Sequence, residues 1–325
     1  MVLIDVEEEF DWLKPFNRNS TAVTHIEDFV DGLSVFDPFG IVPTGVVSYP
    51  VVASTRASKV LKGAVDAGRL RVGAHLHPWV NPPHDEEVNL RNSFPGNLPR
   101  ELEAAKLLEL TGALERTFGE RPRVYQAGRY GLGPHSAGIL LEQGYQVSMT
   151  VNPPFDYRSE GGPDFSASRT DPYWFGEDGR LLEIPITGAF LGIAGRAAPA
   201  LYRFATSPVP GFLHMPGILA RLSIAERIRL SPEGQSAADL IRLTRFLFER
   251  GSRLFVLSFH SPTLKPGCTS YVQTAAEREE FLQTCRTYFE YFFGELNGQP
   301  EDPLAFCAEL NTPPRTRTPD SQLIR

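Results

Sequence analysis

Cysteine, basic charge and long apolar runs are all scarce in this chain of 325 residues. It has three cysteines, an odd number without CxxC spacing, so neither a disulfide framework nor a zinc–thiolate site is expected. Acidic residues outnumber Lys and Arg by 39 to 32, and the net charge of −7 argues against a nucleic-acid partner. No apolar run approaches the roughly 20 residues that span a membrane. The N-terminus lacks the basic and apolar regions of a signal peptide. We therefore expect a cytoplasmic protein, and nothing in the sequence indicates its oligomeric state.

Short apolar segments alternate along the chain with segments of helical periodicity. Strands are predicted at residues 2–4, 41–49, 70–77, 124–126, 145–151, 181–186 and 253–259. Helices are predicted at 25–36, 55–67, 99–118, 134–144, 211–230, 235–250 and 275–293, and long loops at 80–98, 152–180 and 188–210. This alternation favours an α/β fold, with a parallel sheet closed or nearly closed into a barrel and the active site at the C-terminal strand ends. We expect one such domain over residues 1–307 and a polar tail over 308–325.

Two acids follow the first predicted strand. Asp5 and Glu7 are separated by one residue, so in an extended chain their carboxylates share one face. Such a pair is costly unless a metal ion, another cation or a shared proton offsets the charge. The pattern equally fits a strand that runs into an acidic, solvated turn.

Two histidines end the third predicted strand. His75 and His77 point to the same side of an extended segment because they too are separated by one residue. Two imidazoles and one carboxylate, from Glu7 or Asp5, make a three-ligand open site for Zn²⁺ or a similar divalent ion. The alternative is that one ring caps the strand while the other packs on Trp79.

A histidine and an arginine mark two further strand ends. His260 begins a turn after an apolar strand and is a candidate general acid, although a histidine there can also be a buried core residue. Arg129 lies in a turn flanked by glycines and could hold a catalytic carboxylate or bind substrate. Its alternative role is that of an ordinary surface cation.

The motifs, taken in order, resemble those of polysaccharide deacetylases of the NodB-homology type (carbohydrate esterase family 4), and more closely those of the WalW-like branch. They cover about residues 2–265. The stretches that carry the resemblance are LIDVEEEFDW (3–12), GAHLHPWVNPP (73–83), AGRYGLG (127–133), GPDFS (162–166), PYWF (172–175), LEIPIT (182–187) and LSFHSP (257–262).

The resemblance implies a deformed (β/α)7-type barrel, with long loops over the C-terminal strand ends. It also implies metal-dependent removal of acetyl groups from a carbohydrate, with N-acetyl favoured over O-acetyl and zinc as the expected metal. By the same resemblance Asp5 is the general base, Glu7 a metal ligand and His260 the general acid. The family's second motif supplies two histidine ligands, here assigned to His75 and His77.

Two positions depart from the family pattern. The family usually spaces its metal histidines at i and i+4, whereas His77 follows His75 at i+2 and Trp79 stands at i+4. The arginine that positions the base would fall near Gln126, a neutral amide, so Arg129 is the predicted substitute.

Aromatic residues are the expected sugar-binding groups because their faces stack on sugar rings. The predicted set is Trp79, Tyr130, Tyr173 and Trp174, with Tyr157 and Phe165 as further candidates or as loop-packing residues.

Three other functions fit parts of the pattern. A glycosidase-like barrel would pair Asp5 with a second acid such as Glu183, without a metal. A phosphoesterase with a His-x-His motif would place that motif on the first strand and not on the third. A carbohydrate-binding barrel with weakened activity would explain Gln126.

Overall fold

A curled eight-stranded sheet organises the protein in the computed structural model, which describes residues 1–10, 14–205, 215–222 and 224–311. The sheet order is β10-β1-β2-β3-β4-β5-β7-β6; seven strands are parallel, and the edge strand β6 is antiparallel to β7. The eight strands are β1 (Val2–Val6), β2 (Thr44–Val47), β3 (Arg71–Leu76), β4 (Val124–Ala127), β5 (Val147–Ser148), β6 (Tyr173–Phe175), β7 (Leu181–Glu183) and β10 (Leu257–His260). This half-barrel confirms the predicted (β/α)7-type architecture.

A separate two-stranded antiparallel sheet lies between β7 and β10 in the chain. Its strands are β8 (Gly188–Leu191) and β9 (Glu226–Arg229), which pair antiparallel. The backbone N–H of Leu230 donates to the carbonyl of Thr187, and the carbonyl of Leu230 accepts from Ser258 N. The residues that follow β9 are therefore held beside the C-terminal end of β10.

Helices follow most of the parallel strands. Those of the described residues are α1 (Ile26–Gly32), α2 (Tyr49–Ala53), α3 (Thr55–Asp66), α4 (Arg100–Phe118), α5 (Ser136–Glu142), α6 (Ala198–Ala205), α7 (Met215–Arg221), α8 (Ala237–Phe248), α9 (Ala275–Gly294) and α10 (Pro303–Asn311). Capping boxes at Ser236 and Thr274 fix the starts of α8 and α9. None of these described helices is long and apolar enough to cross a membrane.

The first strand divides its side chains between two cores. Val2, Ile4 and Val6 pack with the helices on one face of the sheet, and Leu3 packs in a second core on the opposite face. Successive strand residues alternate between faces, so Asp5 shares the face of Leu3. The acid that the sequence placed at the end of β1 therefore lies on the concave side of the half-barrel.

The segment from 188 to 230 differs from its predicted structure. The predicted loop contains β8 and α6, and the end of the predicted helix at 211–230 is strand β9. Strand β9 has the sequence ERIR, in which only Ile228 is buried, so it lacks the apolar run that marks a core strand. Helix α10 was also not predicted and runs across residue 307; residues 312–325 of the predicted tail lie outside the described residues.

Candidate active site

The polar residues at the strand ends meet because β10, β1, β2, β3 and β4 are parallel neighbours. Asp5 is the register partner of His260 on β10, and His75 is the register partner of Gln126 on β4. Parallel strands present their C-terminal ends at one edge of a sheet. Side chains up to 255 residues apart in sequence are thus brought to one place by the sheet alone.

Three buried side chains that carry metal-ligating atoms converge at this edge of the sheet. Oε2 of Glu7 lies 3.3 Å from Nε2 of His75 and 3.4 Å from Nε2 of His77. All three side chains are buried, and their ligand atoms lie within 4.8 Å of one another. The predicted ligands therefore come together, including the i, i+2 histidine pair that departs from the family spacing.

The other ring nitrogen of each histidine is occupied. Nδ1 of His75 lies 3.2 Å from the backbone carbonyl oxygen of Gln126, so the tautomer with its proton on Nδ1 can donate to that oxygen. Nδ1 of His77 lies 2.7 Å from Oε1 of Glu8, and the hydroxyl of Ser48 donates to the other oxygen of that carboxylate at 2.8 Å. Outer partners of this kind fix the ring and leave Nε2 as the free ligand atom.

The charge at these donors fits a divalent cation. Burial raises the pKa of Glu7, because removing a carboxylate from water penalises its charged form. Burial likewise lowers the pKa of His75 to about 3, so that ring is neutral at ordinary pH and keeps a lone pair. Two imidazole nitrogens and one carboxylate oxygen are the donor set of an open zinc site. Glu7, His75 and His77 are thus the residues that would hold such an ion.

A second group of donors shares Glu7 with the first. Asp5, Glu7 and His260 satisfy the same distance limit. However, Nδ1 of His260 lies 2.8 Å from Oε2 of Glu233, and this carboxylate, opposed by burial, raises the pKa of His260 to about 10. Nε2 of His260, on the side of Asp5, is then the ring atom from which a proton can be donated. This second group is therefore arranged for proton transfer.

Glu233 is itself held in place by several donors. Its Oε1 accepts from the backbone N–H of His260 at 3.0 Å and from the hydroxyl of Thr263 at 2.6 Å. The guanidinium of Arg229, on β9, lies 3.5 Å from Oε2 and also donates to the hydroxyl of Tyr130 at 2.9 Å. The turn after β9, a strand that was not predicted, thus supplies the carboxylate that orients His260.

Asp5 lies between His260 and Gln126. Its Oδ2 is 3.6 Å from Nε2 of His260. With the amide of Gln126 oriented to satisfy its neighbours, Nε2 of Gln126 donates to Oδ1 of Asp5 at 2.7 Å. Burial raises the pKa of Asp5, and the nearby His75 and His260 oppose that rise. Asp5 is therefore a buried carboxylate with one hydrogen-bond donor and one cationic neighbour, as a general base requires.

Two adjoining clefts open above these residues. One has a volume of about 580 Å³ and is lined by Tyr130, Tyr157 and Arg129 as well as by the site. The other has a volume of about 800 Å³ and shares Glu7 and His260 with the first. The site therefore lies where two clefts meet, and a ligand can extend from it in two directions.

Arg129 lines the first cleft but bonds away from Asp5. Its guanidinium donates to Ser93 Oγ at 2.6 Å, forms an ion pair with Glu160 and lies over the ring of Phe94, 4.2 Å from the centroid. Arg129 and Tyr130 both have positive φ, at 51° and 59°. Among the described contacts, the amide that reaches Asp5 belongs to Gln126 and not to Arg129.

The four predicted sugar-binding aromatics lie in different places. Tyr130 lines the first cleft and stacks on Tyr157, with ring centroids 5.6 Å apart. Trp79 is only 1% exposed and stacks on the ring of His77 at 4.3 Å, so it supports a proposed ligand from beneath. Tyr173 and Trp174 lie on the edge strand β6, outside the lining of either cleft.

Glu183, the predicted partner of Asp5 in a glycosidase-like pair, faces the backbone. Its Oε1 accepts from the N–H groups of Thr150 and Val151 at 2.9 and 2.7 Å. Burial raises the pKa of Glu183 to about 8, and the side chain lines neither of the two clefts. Glu183 therefore holds the chain after β5 and does not face Asp5 across a groove.

Three residues of the site were missed from sequence: Glu8, Arg229 and Glu233. Glu8 lies in the run of three glutamates, where its neighbours gave no reason to prefer it. Arg229 lies on β9, at the end of the segment predicted as helix over 211–230, and Glu233 lies in the short gap before the helix predicted at 235–250. The signal that the sequence offers for Glu233 is its Ser-Pro-Glu-Gly stretch, a turn pattern just before the capping residue Ser236.

Comparison with protein-family models and with curated protein sequences finds no match. The fold is similar to that of the solved PuuE allantoinase, with a TM-score of 0.52 and 15% identity over 94% of this chain and 88% of that one. A probable polysaccharide deacetylase from Pseudomonas aeruginosa PAO1 gives a TM-score of 0.51 and 14% identity over the same shares, 94% and 88%. The chain has the polysaccharide-deacetylase fold.

A third solved structure extends the comparison to sugar-transferring enzymes. The 4-alpha-glucanotransferase from Thermococcus litoralis has a TM-score of 0.50 and 12% identity, over 96% of this chain and 41% of that one. At sequence identities of 12–15%, these similarities concern the fold alone. The chemistry must be argued from the side chains at the strand ends.

Proposed function

We propose that this protein is a metal-dependent hydrolase that removes acetyl groups, N-acetyl in preference to O-acetyl, from a carbohydrate. The observation that carries the proposal is the convergence of Glu7, His75 and His77 beside Asp5 and His260. The fold shared with a probable polysaccharide deacetylase and an allantoinase supports hydrolysis of carbon–nitrogen bonds as the reaction class.

The metal site and the base have separate tasks in this proposal. A divalent ion held by Glu7, His75 and His77, with zinc as the expected one, would polarise the acetyl carbonyl and lower the pKa of a nearby water. Asp5 accepts a proton from that water as the water oxygen bonds to the acetyl carbonyl carbon, and the amide of Gln126 holds the accepting carboxylate in place. The burial of Asp5 raises its basicity relative to an exposed aspartate.

His260 completes the reaction as the general acid. Its Nδ1–H is held by Glu233, so the proton on Nε2 points towards the side of Asp5. The pKa of about 10 keeps the ring charged at neutral pH. That proton goes to the amine or alkoxide that leaves when the acyl bond breaks.

The clefts favour a carbohydrate over a compact ureide such as allantoin. Both cleft volumes lie within the range for sites that enclose a small ligand, but among the described residues the two clefts adjoin and extend the site in two directions. Tyr130 and Tyr157 offer stacked rings on one wall. A chain of sugar rings fits this shape because it can continue past the acetylated unit.

The test is acetate release by the purified protein from N-acetylated amino-sugar oligomers, with O-acetylated xylan and allantoin as competing substrates. We expect the protein to release acetate from the amino sugars. Chelators should abolish this release, and added zinc should restore it. Release from xylan alone would reassign the reaction to O-acetyl groups. Turnover of allantoin without acetate release from either glycan would contradict the proposal.

A further inference from the structure

A buried lysine organises the loop that follows His77. Lys106, on α4, is fully buried, and its ammonium group donates to three backbone carbonyls of one short segment. The distances from Nζ are 2.9 Å to Pro78 O, 2.6 Å to Asn81 O and 2.6 Å to Pro83 O. A carboxylate oxygen of Glu86 is the fourth contact, at 2.8 Å. We call residues 78–86 the His77 loop.

The geometry is that of a bound cation and not of an incidental ion pair. Three carbonyl oxygens and one carboxylate surround a single positive charge, in an environment where an uncompensated charge is strongly disfavoured. Asn81, in the loop, also donates a hydrogen bond to α4, from its side-chain amide to the carbonyl oxygen of Lys106 at 2.8 Å. The lysine therefore joins α4 to the loop in both directions.

The His77 loop connects Lys106 to the candidate metal centre. It begins directly after His77 and carries Trp79, whose ring stacks on the imidazole of His77. Trp79 also packs against Phe16 at 4.7 Å. Beyond the loop, residues 88–90 form part of the wall of the first cleft. A change in the conformation of the loop would thus alter both the position of His77, a proposed ligand, and the wall of the first cleft.

We propose that Lys106 is a positioning residue, whose ammonium group fixes the His77 loop and so holds the His77 ring in the orientation that metal binding requires. The inference rests on the proposed function only in taking His77 as a metal ligand. Lys106 touches neither substrate nor metal in this account; it acts through Trp79 and the backbone next to His77.

The test compares Lys106→Met with wild type by ring resonances of ¹⁵N-histidine-labelled protein, recorded without metal or substrate. Methionine keeps the apolar stem and removes the charge. The His77 signals are assigned by their loss in His77→Gln. We expect them to shift in Lys106→Met while the His25 signals stay in place, and zinc affinity measured by chelator competition to weaken roughly tenfold or more.

The matched control is Lys62→Met, which removes a lysine from an exposed ion pair with Asp66, 2.9 Å apart. It should leave the His77 signals and the zinc affinity unchanged.

If Lys106→Met does not fold, the double variant Lys106→Met, Glu86→Gln removes both buried charges at once, and its spectra are interpreted in the same way. His77 signals identical to wild type in a folded variant that melts earlier would overturn the proposal, because the lysine would then be structural only. Since the spectra need no substrate, absence of deacetylation leaves this result intact.

Discussion

Oε2 of Glu233 lies 2.8 Å from Nδ1 of His260, and this contact defines the protonation state of the proposed general acid. The carboxylate stabilises the imidazolium, opposes the effect of burial and raises the pKa of His260 to about 10. The acid thus stays charged over the neutral range. Glu233 comes from the turn after β9, so a segment outside the main sheet controls a residue at the end of β10.

Replacing Glu233 with Gln should move the alkaline limb of the pH–rate profile to lower pH. The raised pKa of His260 means that the acid form persists until the pH approaches about 10. Without the carboxylate that pKa falls towards its ordinary value, so activity should be lost at lower pH while activity on the acid side is better preserved. The measurement is kcat/KM against pH. Glu226→Gln, which breaks an exposed pair with Arg242, is the control and should match wild type. An alkaline limb that does not move would argue against His260 as the acid.

Replacing Gln126 with Met should move the acid limb in the opposite direction, to higher pH. The amide donates to Asp5 at 2.7 Å and so favours the charged carboxylate. Its loss raises the pKa of Asp5 further, so more alkaline conditions are needed to deprotonate the base. Loss of one hydrogen bond to a charged group is worth about 1.5–3 kcal/mol, or a fall in activity of about tenfold or more near neutral pH. Gln143→Met, which removes a bond to a backbone carbonyl away from the site, provides the comparison. An unchanged profile would show that Gln126 does not support the base.

Replacing Glu8 with Gln should weaken zinc binding by about 10- to 100-fold, the usual effect of losing an outer partner of a ligating histidine. Glu8 holds Nδ1 of His77 at 2.7 Å and is itself held by Ser48. Chelator competition measures the change directly. The adjacent Glu9 contacts His25 and Thr24, so Glu9→Gln carries the same chemical change without the His77 contact. Equal zinc affinities for the two variants would contradict the role given to Glu8.

Replacing Arg129 with Ala should affect substrate binding more than turnover. The side chain lies on the cleft wall, bonded to Ser93 and Glu160, and does not contact Asp5. We expect KM to rise about two- to fivefold, as for loss of a contact worth about 0.5–1 kcal/mol, with kcat near its wild-type value. Asp5→Asn should show the reverse, with loss of kcat and retention of zinc. A large fall in kcat for Arg129→Ala would instead support the catalytic role predicted from sequence.

The strand-end residues were accessible from sequence because two simple rules apply to them. Strand side chains alternate with a period of two, and parallel strands share one C-terminal edge, so Asp5, His75 and His260 could be expected to meet. The same alternation predicted that His75 and His77, the proposed histidine ligands at i and i+2, point to one side. These inferences needed no knowledge of how helices or loops pack.

The remaining contacts depend on packing that the local sequence does not encode. Glu233 reaches His260 only because β9 pairs with β8 and returns the chain to β10. Trp79 lies under His77 instead of on a sugar-binding wall because the His77 loop folds inwards around Lys106. A neutral amide at Gln126 looked like a loss of function, yet its place next to His75 in the sheet register aims it at Asp5.

The most direct test of the account is acetate released from an N-acetylated amino-sugar oligomer by metal-free protein, as zinc is added in measured steps. We predict no acetate without zinc and a maximal rate at one zinc ion per chain, with no acetate at any zinc level for His77→Ala. Full activity of the metal-free protein, or no acetate from the wild-type protein at any zinc level, would contradict it.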